Sequence, residues 1–181
     1  MPSDIVNYGP WSNECVDLVF SLPNCSVIEG NHEANFKKNN YVSSNISKIF
    51  FDFCRPSFDR YEKISKLPEK IEWQGYTFAH TIKNRKIYPD TDLALDANYM
   101  IGHSHHQFKI ENGGFILYNC GSVGQNRLYI NIINYLVFHT DEHIIEMRST
   151  TYDEMLVINE MRQRGYPREC IDYYNDKQRL N

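Results

Sequence analysis

Paired cysteines and long apolar runs are both missing from this sequence. Its five cysteines (Cys15, Cys25, Cys54, Cys120 and Cys170) are odd in number and scattered, with no Cys-x-x-Cys pair. That spacing argues against a disulfide framework and against a thiolate zinc site, and it predicts free thiols in a reducing cytoplasm. No apolar run approaches bilayer length, and the N-terminus lacks the basic-then-apolar pattern of a signal peptide. A cytoplasmic chain without a membrane partner is the expectation. Strong charge is missing too. A net charge of -4 gives no field that would gather nucleic acid, so an anionic substrate must be met by local side chains or bound metal. No internal repeat or low-complexity segment is present.

What remains is ordinary globular material: 181 residues, 41% hydrophobic and 23% charged, which predicts one domain over 1–181. Aromatics reach 14%, with 13 tyrosines, suited to a β-rich interior and hydrogen-bonding pocket walls. "YGPWS" at 8–12 reads as a turn. Ser12-Asn13 can cap a helix that carries Cys15, Val16, Val19 and Phe20 inward. Residues 25–29 read as a short strand ending at "GNHE" (30–33), itself a turn. "SSNISKIFFDFC" (43–54) is helical, with Ile46, Ile49, Phe50 and Phe53 on one face. From residue 67 the pattern is β: a hairpin around Gln74-Gly75, a strand at 98–106 ending in histidines, and a hairpin at Asn112-Gly113-Gly114. Strands near 128–138 and 143–148 follow. A helix near 153–164 stops at Gly165, and Pro167 opens a last one.

Polar groups collect where apolar runs end: Asp4, GNHE, His80, "GHSH" (102–105) and Asn119 to Gly124. Ends of strands are where α/β layers build sites. His103 and His105, two apart, would project to one side of an extended backbone. Each fragment alone has a plain reading: a frayed terminus for Asp4, a rim residue for His80, a solvated loop for the histidines. Together, Asp4, Asn31, His80, His103 and His105 supply a carboxylate, a carboxamide and imidazoles. That mixed oxygen and nitrogen set suits Mn²⁺, Fe or Zn²⁺ better than Ca²⁺ or a thiolate-seeking ion. His32 stands beside Asn31 as an acid or hydrogen-bond donor. Tyr8, Trp11 and the basic stretch 83–86 could line a nucleotide pocket, though solvated surface is the simpler reading for the lysines.

Here the chain resembles the calcineurin-like metallophosphoesterases, in particular the small prokaryotic branch of phosphodiesterase and diadenosine-tetraphosphatase-like proteins. "SDIVNYGPWSNECVDLV" is similar to the family block G-D-x-V-x-Y-G-P-x-x-N-E-C, "GNHE" to G-N-H-[DE], "GHSH" to G-H-x-H, and "NCGSVGQNR" to N-P-G-S-V-G-x-x-R. "TTYDEMLVINEMRQRGYP" resembles the closing segment and helix. The resemblance runs from residue 3 to about 175. It implies an α/β (α+β) four-layer αββα sandwich and hydrolysis of a phosphodiester, phosphomonoester or dinucleoside polyphosphate. By the same resemblance one metal would take Asp4, Asn31, His80 and His103, and a second would share Asp4 and hold His105. Mn²⁺ is the leading ion, with Fe, Zn²⁺ and Ni²⁺ as the others. Hydroxide from a bridging water would attack phosphorus, with His32 as general acid or charge stabiliser. Asn119, Gly121, Ser122 and Arg127 would form the substrate side, through backbone N–H groups and a guanidinium. The implied partner is a phosphorylated small molecule or nucleotide.

The resemblance is incomplete at its start. The family opens on an Asp-x-His strand that this chain lacks; Asp141-Glu142-His143 has the letters on the wrong element. Ser3 replaces the Gly before Asp4, and Thr81 the Gly after His80. An opening β–α–β of about 30 residues is expected to be missing, and an N-terminally truncated sandwich is the expectation. Three accounts stay open: a fragment of a complete enzyme, an impaired remnant that binds a nucleotide or partner, or a chain completed by another. An exposed sheet edge would favour a homo-oligomer.

Overall fold

The computed structural model describes residues 4–41 and 45–180. Residues 1–3, including Ser3, and residues 42–44 at the start of the expected 43–54 helix lie outside them. The chain divides into two compact units, one of residues 4–68 and 153–177 and the other of residues 69–152 and 178–180.

The first unit is helical: α1 (Ser12–Ser21), α2 (Asn31–Lys38), α3 (Asn45–Cys54), α4 (Tyr61–Ile64), α5 (Met155–Gln163) and α6 (Arg168–Asn175). Rings fill its core. Phe36 meets Phe51 and Phe58 edge-on at 5.2 Å, and Tyr8 lies 4.8 Å from Phe50. Tyr8 thus packs as a core ring, and it also meets the His32 ring edge-on at 5.3 Å. Aromatic pairs of this kind add to what area burial alone contributes. Around them, burial holds the Cys54 thiol at about 11 and Cys170 at about 12.

Three expectations change here. Phe20 does not face the core: it is 41% exposed, with the Lys63 ammonium 5.8 Å from its ring, so a cation covers it instead of neighbours. Ser12 does not cap α1, because its Oγ accepts the Asn7 N–H at 3.1 Å, and Trp11 takes the cap position. Residues 25–29 form no strand among the described residues. Val27 and Ile28 are buried, but the run is joined to Pro68 through the Glu29 N–H (2.7 Å) and to no ladder. Apolar letters gave the burial, and pairing is a separate requirement.

The second unit holds β1 (Lys70–Trp73), β2 (Tyr76–Ala79), β3 (Asn98–Ile101), β4 (Gln107–Asn112), β5 (Phe115–Cys120), β6 (Ile132–His139) and β7 (Ile144–Thr151). A five-stranded sheet runs in the order β1-β2-β3-β5-β4, with β6-β7 as a separate pair. β2, β3 and β5 are parallel, and the hairpin partners β1 and β4 flank them. Both hairpins turn on two left-handed residues, Gln74-Gly75 and Gly113-Gly114, the form whose twist matches the strands. The sheet buries Ile101, Phe108 and Leu117 under Ile82, Ile87, Leu93 and Leu95. Phe138 of β6 packs edge-on against Trp73 and Tyr76 at 5.5 and 5.8 Å. The result is the mixed α/β content expected of a sandwich. No helix among the described residues is long and apolar enough to cross a membrane.

Candidate functional site

In the second unit, register places the histidines. β2 pairs with β3 so that Tyr76 faces Asn98 and Phe78 faces Met100, and the Gly102 N–H extends the ladder to the His80 carbonyl at 3.2 Å. Adjacent parallel strands thus end together, with His80 just past one and His103 just past the other. His80 Nε2 and His103 Nδ1 are 3.0 Å apart, with the rings at 85°. Two imidazole nitrogens so close either share a proton or aim their lone pairs at one cation, so this donor pair fits a metal.

The GHSH backbone is not extended. His103 (φ 66) and His105 (φ 60) both adopt the left-handed conformation, so the alternation of an extended strand does not govern where the two rings project. Left-handed non-glycine residues are sparse and persist where their surroundings over-determine them. His105 instead reaches the Gln125 carbonyl with Nδ1 at 2.9 Å. A carbonyl only accepts, so Nδ1 carries the proton and Nε2 keeps its lone pair. This is the usual outer support of a metal-binding imidazole.

The residues expected on the substrate side have mostly internal partners. β3 pairs with β5 so that Ile101 faces Asn119. The fully buried Asn119 donates to the Gly102 carbonyl (2.7 Å) and Ser104 Oγ (2.9 Å), and its Oδ1 accepts the Gly121 N–H (3.0 Å). Ser122 Oγ accepts the Gln125 N–H at 2.9 Å. Gly121 sits at φ 77, and a Cβ there would lie 2.5 Å from that of Asn134, so only glycine fits. Arg127 is exposed. Burial, with the charges of Arg127 and His105, pulls neighbouring His106 below the ordinary imidazole range. The basic stretch 83–86 is exposed throughout.

In the first unit, GNHE is the start of a helix, not a turn: Gly30 is the N-cap and Asn31, His32 and Glu33 form the first turn of α2. The loop ahead of α1 carries three left-handed residues, Asp4 (φ 104), Asn7 (φ 77) and Tyr8 (φ 60). Asp4 Oδ1 accepts the His32 backbone N–H at 3.2 Å, and Oδ2 lies 3.9 Å from His32 Nε2. Asn7 donates through Nδ2 to His32 Nδ1 at 3.0 Å, and the Tyr41 hydroxyl lies 3.4 Å from the same nitrogen. An accepting Nδ1 puts the ring proton on Nε2, the nitrogen on the Asp4 side.

Two residues that sequence reasoning missed stand out. Asn7 sets the His32 tautomer, and no local pattern announces it. Glu33 binds backbone in that loop, at Ile5 and Val6, and at Gly30, the cap of its own helix. Its position three residues after the cap is the capping-box spacing, legible once GNHE is read as a helix start.

No family model matches the chain. The uncharacterized protein MJ0912 of Methanocaldococcus jannaschii is 30% identical over an alignment 181 positions long that covers 83% of this chain and 74% of the relative. Two solved structures share the fold. A metallophosphoesterase from Sphaerobacter thermophilus gives a TM-score of 0.76 at 20% identity, over 95% of this chain and 84% of that one. The hypothetical protein PH1004 from Pyrococcus horikoshii gives 0.80 at 12% identity, over 95% and 82%.

Proposed function

Because the chain belongs to the family of that Methanocaldococcus protein and has the calcineurin-like metallophosphoesterase fold, we propose that it is a metal-dependent phosphoester hydrolase. The observation that carries this reading is the His80–His103 pair, two donor nitrogens converging to 3.0 Å at the ends of adjacent parallel strands.

Asp4, Asn31, His80 and His103 would hold one divalent cation, and Asp4 with His105 would serve a second. The donor set favours Mn²⁺, with Fe, Zn²⁺ or Ni²⁺ as the alternatives. Bound there, such ions supply charge neutralisation at the phosphoryl group and an acidified water. His32 keeps its Nε2 proton because Asn7 and Tyr41 face Nδ1. It would hold that N–H against phosphoryl charge as the charge builds; as an acid for the leaving oxygen it would first take a second proton on Nδ1, which the Asn7 amide could accept through Oδ1 after turning over. His105, its Nδ1 proton fixed on the Gln125 carbonyl, offers Nε2 as a donor. Asn119 and Ser122 would act by holding the loop. The Gly121 N–H is already committed to Asn119, and Arg127, exposed on the same loop, would offer a guanidinium to a phosphate oxygen. The substrate would be a phosphodiester, phosphomonoester or dinucleoside polyphosphate met in the cytoplasm.

Hydrolysis of bis(p-nitrophenyl) phosphate and p-nitrophenyl phosphate by the Mn²⁺-loaded protein tests the reading. Turnover lost on chelation and in His103→Ala supports it. Protein that binds Mn²⁺ and turns over neither ester nor any dinucleoside polyphosphate would overturn it.

A further inference from the structure

We infer that Glu33 is a positioning residue whose carboxylate clamps the loop carrying Asp4 to the start of the helix carrying Asn31 and His32. This rests on the phosphoesterase reading and adds a residue to its machinery. The Glu33 side chain is fully buried. Its Oε1 accepts the Ile5 N–H (2.6 Å) and the Val6 N–H (3.1 Å), while Oε2 accepts the Gly30 N–H (2.9 Å). Bonds from amides to an ionised carboxylate are among the stronger hydrogen bonds, and the helix N-terminus adds a favourable field. Removing the carboxylate would leave buried donors with no replacement, the expensive side of the hydrogen-bond asymmetry.

The consequence falls on Asp4. Its backbone sits at φ 104, where an L residue stays only if its neighbours insist. The two amides that follow it are the ones Glu33 holds, and its own Oδ1 is held by the His32 N–H. Gly30 shows how closely the parts fit: a Cβ there would lie 2.3 Å from Asp4 Oδ1 and 2.8 Å from Glu33 Oε2. Two carboxylates therefore share one helix start, each on a different amide, with glycine leaving the room. Without Glu33, the Asp4 backbone would relax toward ordinary φ and carry its carboxylate out of place.

Glu33→Gln is the first test, since a carboxamide has one acceptor oxygen where the carboxylate uses two. Hydrogen exchange of the Ile5, Val6 and Gly30 amides is measured in metal-free protein, followed by Mn²⁺ titration of the same sample. Exchange at those amides should rise at least about tenfold while the β4–β5 hairpin is unchanged. Mn²⁺ affinity should fall about 10- to 100-fold, the range for losing an outer-shell support. Glu33→Asp, which keeps the charge one methylene shorter, should recover part of that affinity. A folded Glu33→Gln protein with wild-type Mn²⁺ affinity, whatever its exchange, would reduce Glu33 to a helix cap and overturn the inference. If Glu33→Gln does not fold, Gly30→Ala displaces the same pair with Glu33 in place. Weakened Mn²⁺ binding then supports the clamp, and unchanged binding overturns it. Absence of Mn²⁺ binding in the wild-type protein removes the phosphoesterase reading itself, and this role with it, and is seen before any variant is made.

Discussion

The two units hold their donor residues by different means. In the second, parallel ladders set the positions: β2, β3 and β5 end side by side, and His80, His103 and Asn119 follow from register. In the first, no ladder forms among the described residues near Asp4. A strained loop is tied to α2 by side-chain-to-backbone bonds from Glu33, with Asn7 and Tyr41 on the His32 ring. Ladder bonds run between backbones and survive most side-chain changes, whereas a loop held by one carboxylate depends on that carboxylate. The difference also separates proposed roles: proton donation from the first unit, imidazole ligation from the second.

That separation can be broken most sharply at the histidines. His103→Ala should abolish binding of the Mn²⁺ ion proposed for Asp4, Asn31, His80 and His103 in a titration. His32→Ala should bind Mn²⁺ as before and lower kcat by a factor of about 100 to 10,000, the usual contribution of a general acid. Equal loss of metal binding in both variants would erase the division of labour.

The next largest effect is expected at Asn119, where β5 meets the GHSH loop. Asn119→Ala removes bonds to the Gly102 carbonyl, Ser104 Oγ and the Gly121 N–H. It should lower stability in urea by about 3 kcal/mol, mostly from buried groups left unpaired. A loss below about 1 kcal/mol would show that the ladder alone suffices to hold the loop. Gly121→Ala adds a methyl at φ 77 against Asn134 and should cost about 1–2 kcal/mol in the same assay. Smallest is Gln74→Asn in the β1–β2 turn. Gln74 sits at φ 50, a conformation asparagine tolerates better, so the melt should show a gain of about 0.5 kcal/mol. No gain there would mean that the turn is held by its strands regardless of residue.

Much of the second unit was legible because its rules are local. Gln74-Gly75 and Gly113-Gly114 turn where paired runs meet, and the runs alternate or bury as strands do. The first unit was harder. GNHE has turn-forming letters, so its helix was missed, although Glu33 sits at the capping-box position. Residues 25–29 have strand letters and are buried, but a strand also needs a neighbour to pair with. Phe20 has helical spacing, yet Lys63, 43 positions away in sequence, decides that its ring stays at the surface.

By itself, the sequence determined which residue types could do chemistry and where along the chain they fall: carboxylate, carboxamide and imidazoles at the ends of apolar runs. Composition and spacing are properties of the chain and need no neighbours. Tertiary structure alone decided how those groups are oriented. The proton on His105 Nδ1 and on His32 Nε2 and the hold of Glu33 on the Asp4 loop each involve a partner 20 to 28 residues away. A hydrogen bond orients a side chain only when its partner has been brought within about 3 Å, and folding brings it there.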